Sequence, residues 1–573
     1  GRHRVWREDA PEAVCHVTVA PHRCYLPDTI RRGERRFGIA AQIYALRRHN
    51  DQGIGDFTTL AKLAEVAARE GAATIGINPL HMLFPQNRER ASPYHPSDRR
   101  FLDPIYLDVG DRDFTREIAV RAGATPVNDP VAYSAVWASK LAALERSFIA
   151  FTARGPLTPD FRRFIDDGGL DLWRFAVFQA IAETRPAETW HQWPGCLRSP
   201  DSDAVEAFGS EHAERVRFHQ YLQFLADRQL AAAAASGLEL GLYRDLAVGA
   251  APDGAESWSR SDDLARGAWI GAPPDPLATQ GQNWHLPPPL PLRYAQNGFA
   301  SFAALLAANM RHAGVLRIDH AMGLSRLFWI PEGATGAEGA YVAYPFEDLI
   351  GQVALESVRA RCMVVGEDLG TVPDGFRPVL NEADILSYRV LLLEREGRGF
   401  KSPSSYPRRA VACVSTHDLP PLAGWLEGTD IRERASLGLL GDALAAEEER
   451  RAERAVLADA MAAAGCLARQ DSGEPPVDAM MRGAHEFIAS TSSDLVLVQA
   501  EDLAATRVGV NLPGTDTERP NWRLRLPAPV ETLLTGPTAR AILGAMCASG
   551  RGTAEMDREA GDDENETIVR RQA

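Results

Sequence analysis

The sequence predicts a (β/α)8 barrel, and three observations carry that expectation. Five short apolar runs end in carboxylates: Leu238–Asp245, Gly314–His320 with Asp319 next to last, Met363–Asp368, Val411–Asp418 and Leu495–Asp502. Runs of this length with β-branched members read as buried strands. Each is separated from the next by enough chain for a helix, and barrels of this class gather their reactive groups at the C-terminal strand ends. The length, 573 residues, has room for one barrel with large insertions.

Taken in order, residues 1–36 read as an N-terminal stub, the polar end of an upstream region with one short alternating run, His16–Ala20. The start lacks both an initiator Met and the apolar core of a signal peptide, so a trimmed fragment is expected. Phe37–Ile43 is the first barrel strand. A helix opens at Asp56, with Asp or Thr available as cap, and Ala73–Leu80 is the second strand, ending at Pro79. More than 150 residues then precede the run that ends at Asp245. Helical patterns cover Tyr133–Arg154, Asp160–Ala187 and Glu211–Ala235. A βα connection is normally short, so a mainly helical insertion is expected over about 100–235. Residues 246–298, rich in Gly, Pro and Asp, read as an active-site loop overhanging the barrel mouth. Residues 431–466 read as surface helices. The barrel is expected to span 37–548, and 549–573 to be a disordered acidic tail.

Composition bounds the partners. Hydrophobic residues make up 45% and charged residues 24%, ordinary for a globular enzyme. A net charge of −15 argues against nucleic acid, which selects a basic face. No run approaches the roughly 18 apolar residues of a membrane span. The only lysines are Lys62, Lys140 and Lys401; arginine supplies the remaining basic residues, and no function attaches to this. The seven cysteines are scattered without a CxxC pair, which argues against zinc and against a disulfide framework. A reducing cytoplasm fits that usage.

The run around Asp319 carries the chemistry. On a strand, residues i and i+2 share a side, so Arg317 and Asp319 face one way and Ile318 the other. A charged pair on a buried strand is costly unless paired or used. A structural ion pair is one reading; the repetition of acids at other strand ends favours the other. Several carboxylates on one rim suggest glycosyl transfer. Retaining chemistry needs a nucleophilic carboxylate and a protonated acid about 5–5.5 Å apart. Arg317 is expected to hold the Asp319 pKa low by opposite charge. Glu367, in an apolar strand with Asp368 beside it, is expected to be the acid with a raised pKa.

These residues match a family. Arg317-Ile318-Asp319-His320, Gly366-Glu367-Asp368-Leu369-Gly370 and Thr416-His417-Asp418 resemble the 4-α-glucanotransferases, also called amylomaltases or disproportionating enzymes, within the α-amylase clan. Gly53–Phe57, Asn78–Leu80, Ser92-Pro93-Tyr94, Gly281-Gln282-Asn283-Trp284, Asn511–Thr515 and Pro520–Arg523 resemble the amylomaltase branch, in order, from about residue 21 to 535. The resemblance implies Asp319 as nucleophile, Glu367 as acid/base and Asp418 as the third carboxylate that holds sugar hydroxyls. It implies Arg317 and His417 as supporting residues and Asp245 as a substrate-contacting acid. His320 stands open between lining the site and closing the strand. Tyr94 and Trp284 are implied as sugar-facing aromatics, with loop packing as the alternative. The expected substrate is a maltooligosaccharide or a starch- or glycogen-derived glucan, with no metal and no organic cofactor. An α-glucan hydrolase and a non-catalytic glucan-binding barrel are the rival expectations.

Overall fold

The computed structural model describes residues 1–110, 130–274, 280–469, 473–516 and 518–553. Its centre is a closed barrel of eight parallel strands. In chain order these are β1 (Arg36–Ala41), β2 (Thr74–Ile77), β3 (Leu242–Leu246), β4 (Val315–Ile318), β5 (Met363–Gly366), β6 (Leu386–Val390), β7 (Ala410–Cys413) and β8 (Leu495–Gln499). Every strand pairs with its chain neighbour, and β8 closes onto β1. All five acid-ended runs are barrel strands. β6 carried no sequence signal: Ser387 and Arg389 break its apolar run.

Strand parity divides the core. Val315, Met363, Val365, Leu386, Tyr388, Val411, Leu495 and Leu497 fill the lumen. Leu316, Ile318 and Val364 face the other way, into a layer completed by the helix Phe346–Ala360 and its neighbours. Each fully buried aliphatic side chain of these layers stabilises by roughly 1.5–3 kcal/mol. The N-terminal rim is closed by ion pairs. Arg409, just before β7, meets Asp494 at 2.6 Å and Asp384 at 3.1 Å, and Arg36 meets Glu239 at 2.7 Å.

Among the described residues between β2 and β3 are four helices of eight residues or more: Tyr133–Thr152, Pro159–Thr184, Asp203–Glu211 and Ala213–Ala234. The last packs on Pro159–Thr184 and on the barrel helix Phe57–Arg69, which ties this helical layer to the barrel. Residues 111–129 of this stretch fall outside the described residues.

Three expectations need correction. Residues 1–36 are more than a polar stub: Arg2–Arg7 and Ala10–Thr18 form an antiparallel hairpin, and Leu26 and Ile30 are buried. Arg2 fastens the hairpin to Gln352 (2.7 Å) and Glu356 (2.5 Å) of the helix Phe346–Ala360. The stretch 246–298 is not only loop. It holds Ala268–Ala272 and Gln282–Leu286, which join Arg326–Pro331 and Ala340–Ala343 in a four-stranded antiparallel sheet. The flanking Gly and Pro masked these short strands, which pair with each other and, through Ala268–Ala272, with Arg326–Pro331 beyond β4. The barrel unit also runs past 548. Arg551 is fully buried and donates to the carbonyls of Ala489, Ser493 and Thr491, acceptors that a tail would leave unpaired. The expected acidic tail from 554 on lies outside the described residues.

Candidate active site

The reactive groups stand at the C-terminal rim. Arg317 of β4 sits in register with Asp245 of β3. In-register residues of neighbouring parallel strands point to one side, and the Arg317 Nη1 donates to both Asp245 oxygens, at 2.8 and 3.0 Å. The same nitrogen lies 2.9 Å from Asp319 Oδ1. Arg317 and Asp319 thus share the lumen side, as their spacing predicts, and Ile318 packs outward.

Arg317 acts on Asp319 in the expected direction, but the expected low pKa is overturned. Burial comes first and raises the Asp319 pKa; Arg317 pulls it down, and Asp245 pushes it up again, leaving it above the ordinary carboxylate value. One cation divided between two carboxylates does not outweigh desolvation.

Glu367 follows β5 on the parity of Met363 and Val365. Its oxygens accept from His320 N (2.9 Å) and Leu369 N (2.7 Å). Burial nonetheless pushes its pKa up to about 7, with Arg317 opposing and Asp319 adding to the rise. The neighbouring charge is therefore Asp319 and not Asp368, on which the sequence reading relied. Asp368, one residue on, has the opposite parity. It accepts from Arg377 Nε (2.7 Å), Tyr388 N (2.8 Å) and Arg389, and is fully buried away from the cleft. A parity count along β5 separates the two acids.

Asp418 lies beyond β7, with His417 Nε2 at 3.2 Å and Asn511 Nδ2 donating at 2.8 Å. Asp418 is about half exposed at the cleft, and these two hold its pKa down to about 2. Burial lowers and Asp418 raises the His417 pKa, which ends above the ordinary value. Asn511 and Trp522 belong to motifs already noted, but no role had been read for them. Trp522 packs at a tilt against Tyr94 and His417, with ring centroids 5.5 and 5.7 Å away.

One face of the Tyr94 ring is taken. It stacks on His417 at 4.7 Å, and its hydroxyl donates to Asp245 Oδ2 at 2.7 Å. Its neighbourhood makes it an orienting residue for both groups. Trp284 lies on the strand Gln282–Leu286, half-buried, and meets the His320 ring edge to face at 5.1 Å. His320 adopts a left-handed backbone, φ 47° and ψ 58°, sparsely allowed without glycine. Its N–H serves Glu367, and burial drops its ring pKa to about 4, so the ring is neutral at pH 7. Asp245, Tyr94, Arg317 and His417 line a central cavity with Asn78 and Tyr388.

Chemically, the rim offers a carboxylate beside a cation, a carboxyl group poised near neutrality and a third carboxylate held ionised. Among the described residues, no group of three or more His, Cys, Asp or Glu is arranged to hold a metal ion, and no helix is long and apolar enough to cross a membrane.

The glycosyl hydrolase family 77 model, described as 4-alpha-glucanotransferase, matches residues 41–531. A 4-alpha-glucanotransferase of Mycobacterium tuberculosis is 39% identical over 569 residues, covering 92% of this chain and 76% of that protein. The Haemophilus influenzae 4-alpha-glucanotransferase is 37% identical over 578 residues, covering 93% and 81%. The crystal structure of Corynebacterium glutamicum amylomaltase superposes with a TM-score of 0.84 at 32% identity, covering 93% of this chain and 78% of that one. The amylomaltase of Streptococcus agalactiae, solved with acarbose, shares the fold at 19% identity, with a TM-score of 0.73 and coverage of 91% and 100%.

Proposed function

Because the chain belongs to the 4-alpha-glucanotransferase family, we propose that it moves an α-1,4-glucan segment from a donor maltooligosaccharide to the 4-hydroxyl of an acceptor by a retaining double displacement. The observation that carries this reading is the convergence of Asp319, Glu367 and Asp418 on one rim, with Arg317 and His417 between them.

In the first step, Asp319 attacks the anomeric carbon and Glu367 gives its proton to the departing glycosidic oxygen. The bond to the reducing-side sugar breaks as the glycosyl–Asp319 ester forms. Glu367, now ionised, accepts the proton of the acceptor's 4-hydroxyl. That oxygen attacks the same carbon, and Asp319 leaves as carboxylate. A Glu367 pKa of about 7 suits a group that must give and then take a proton. Asp418, ionised throughout, accepts hydrogen bonds from sugar hydroxyls. Arg317 and Tyr94 hold Asp245 where a further hydroxyl can reach it.

Maltotriose tests the reading. Glucose together with chains longer than the substrate means transfer. Shortening alone means hydrolysis with the same residues, and binding without turnover means a non-catalytic barrel.

A further inference from the structure

One buried acid of the reactive rim is left without a task by the mechanism above. Glu501 follows β8 on the lumen parity of Leu497 and Gln499 and is 7% exposed. Its Oε1 has no hydrogen-bond partner; neither has Oε1 of Gln42, 6% exposed, nor the hydroxyl of buried Tyr44. Glu501 and Gln42 line one small chamber behind His417, with Ser415 and Gln499. It has room for about one water molecule. Gln42, Gln499 and His417 also line the central cavity, so the two cavities share a wall.

Two carbonyl-type oxygens facing one chamber cannot satisfy each other, because neither brings a hydrogen. Buried polar atoms are as a rule paired, and the one hydrogen of the Tyr44 hydroxyl serves only one of these two acceptors, so a second donor is required. We propose that Glu501 is a positioning residue: as a carboxylic acid it donates to Gln42 Oε1, directly or through the single water, and so holds the Gln42 amide nitrogen toward a hydroxyl of the sugar in the central cavity. Tyr44 completes the chain from the far side. Burial agrees with this state. It pushes the Glu501 pKa up to about 7, against its own backbone N–H, with Asp502 adding to the rise and His417 opposing it. Those two, with Tyr44 on the segment after β1 and Arg519 next to Tyr44, are the titratable groups that face it.

The inference rests on the transferase reading and is tested beside it. Gln42→Ala and Glu501→Leu should each raise the KM for maltotriose about tenfold while changing kcat less than about threefold, and the double variant should be no worse than either. Glu501→Gln keeps an uncharged donor and should bring KM back to within about threefold of the unaltered protein. Above pH 7 the unaltered protein loses protons from Glu367 and Glu501; since losing the Glu501 donor costs only about tenfold, log kcat/KM should fall more steeply than in Glu501→Gln over about the first pH unit and then run parallel to it. Glu501→Gln as impaired as Glu501→Leu would overturn the proposal, since charge would then be what matters. Effects of Gln42→Ala and Glu501→Leu that multiply would overturn it too. Should thermal unfolding show Glu501→Leu to be unfolded, the Gln42→Ala KM and the Glu501→Gln slope decide alone. A protein that binds maltotriose without redistributing it would sink the transferase reading, while Kd values of the same variants would still judge the Glu501–Gln42 pair.

Discussion

The two rims of the barrel carry similar residues in opposite states. At the N-terminal rim, carboxylates and arginines neutralise one another: Asp494 has Arg408 and Arg409, Asp384 has Arg409, and Arg36 has Glu34 and Glu239. At the C-terminal rim, Asp245, Asp319 and Glu367 compete for Arg317, and Asp418 relies on His417 and Asn511. The pKa values there spread from about 2 for Asp418 to about 7 for Glu367. Paired charges hold strands together; underpaired charges store reactivity, and carboxyl groups pushed apart in pKa divide into acid and base. Position along a strand, more than residue type, decides which purpose an Asp or Glu serves.

The sharpest way to break this contrast is Asp319→Asn. Turnover should fall by roughly three orders of magnitude or more, as when a covalent nucleophile is removed, while the melting temperature barely moves. A folded variant with undiminished activity would take Asp319 out of the nucleophile role.

Glu367→Gln should lower maltotriose turnover by about a thousandfold. α-Glucosyl fluoride, whose leaving group needs little protonation, should partly restore the first step. Asp368→Asn makes the matched control, since its side chain faces Arg377 and Arg389. It should cost stability without that rescue, and the reverse outcome would exchange the two assignments. The same acid sets the alkaline limb: Glu367 must hold its proton, so kcat/KM should decline as pH rises through about 7.

At the opposite rim, Asp494→Asn removes the partner of Arg409 and should destabilise the fold by about 2 kcal/mol. Its kcat/KM should stay within about twofold, as read by urea unfolding and a maltotriose assay together. Lost activity at full stability would erase the division between rims.

The smallest effect concerns Trp284. Transfer requires that the acceptor sugar be held and water kept poorly aligned. Trp284 stands on the overhanging sheet against His320, whose N–H holds Glu367. Trp284→Ala should shift the products of maltotriose toward hydrolysis by about threefold. Equal losses of both activities would mean that the ring only packs the sheet.

Much of this was legible before any coordinates. Period-two spacing set Arg317 and Asp319 on one side, and the five acid-ended runs became barrel strands because each is apolar enough to be buried. β6 escaped notice because Arg389 interrupts it, and its purpose, pairing Asp368, is visible only once β5 lies alongside. Trp284 was read as part of a loop because its short edge strand has one partner, Ala268–Ala272, which is itself held by chain that follows β4.

The sequence by itself determined which residues could meet: periodicity and burial assign each side chain to a face, and these are local properties of the chain. Only the tertiary structure decided what each charge became. Arg317 is divided between Asp245 and Asp319, Asp368 is turned away from the cleft, and Glu501 is sealed behind His417 with an unpaired oxygen. Desolvation and Coulomb interactions depend on everything within several ångströms, and those neighbours arrive from strands far apart in the chain.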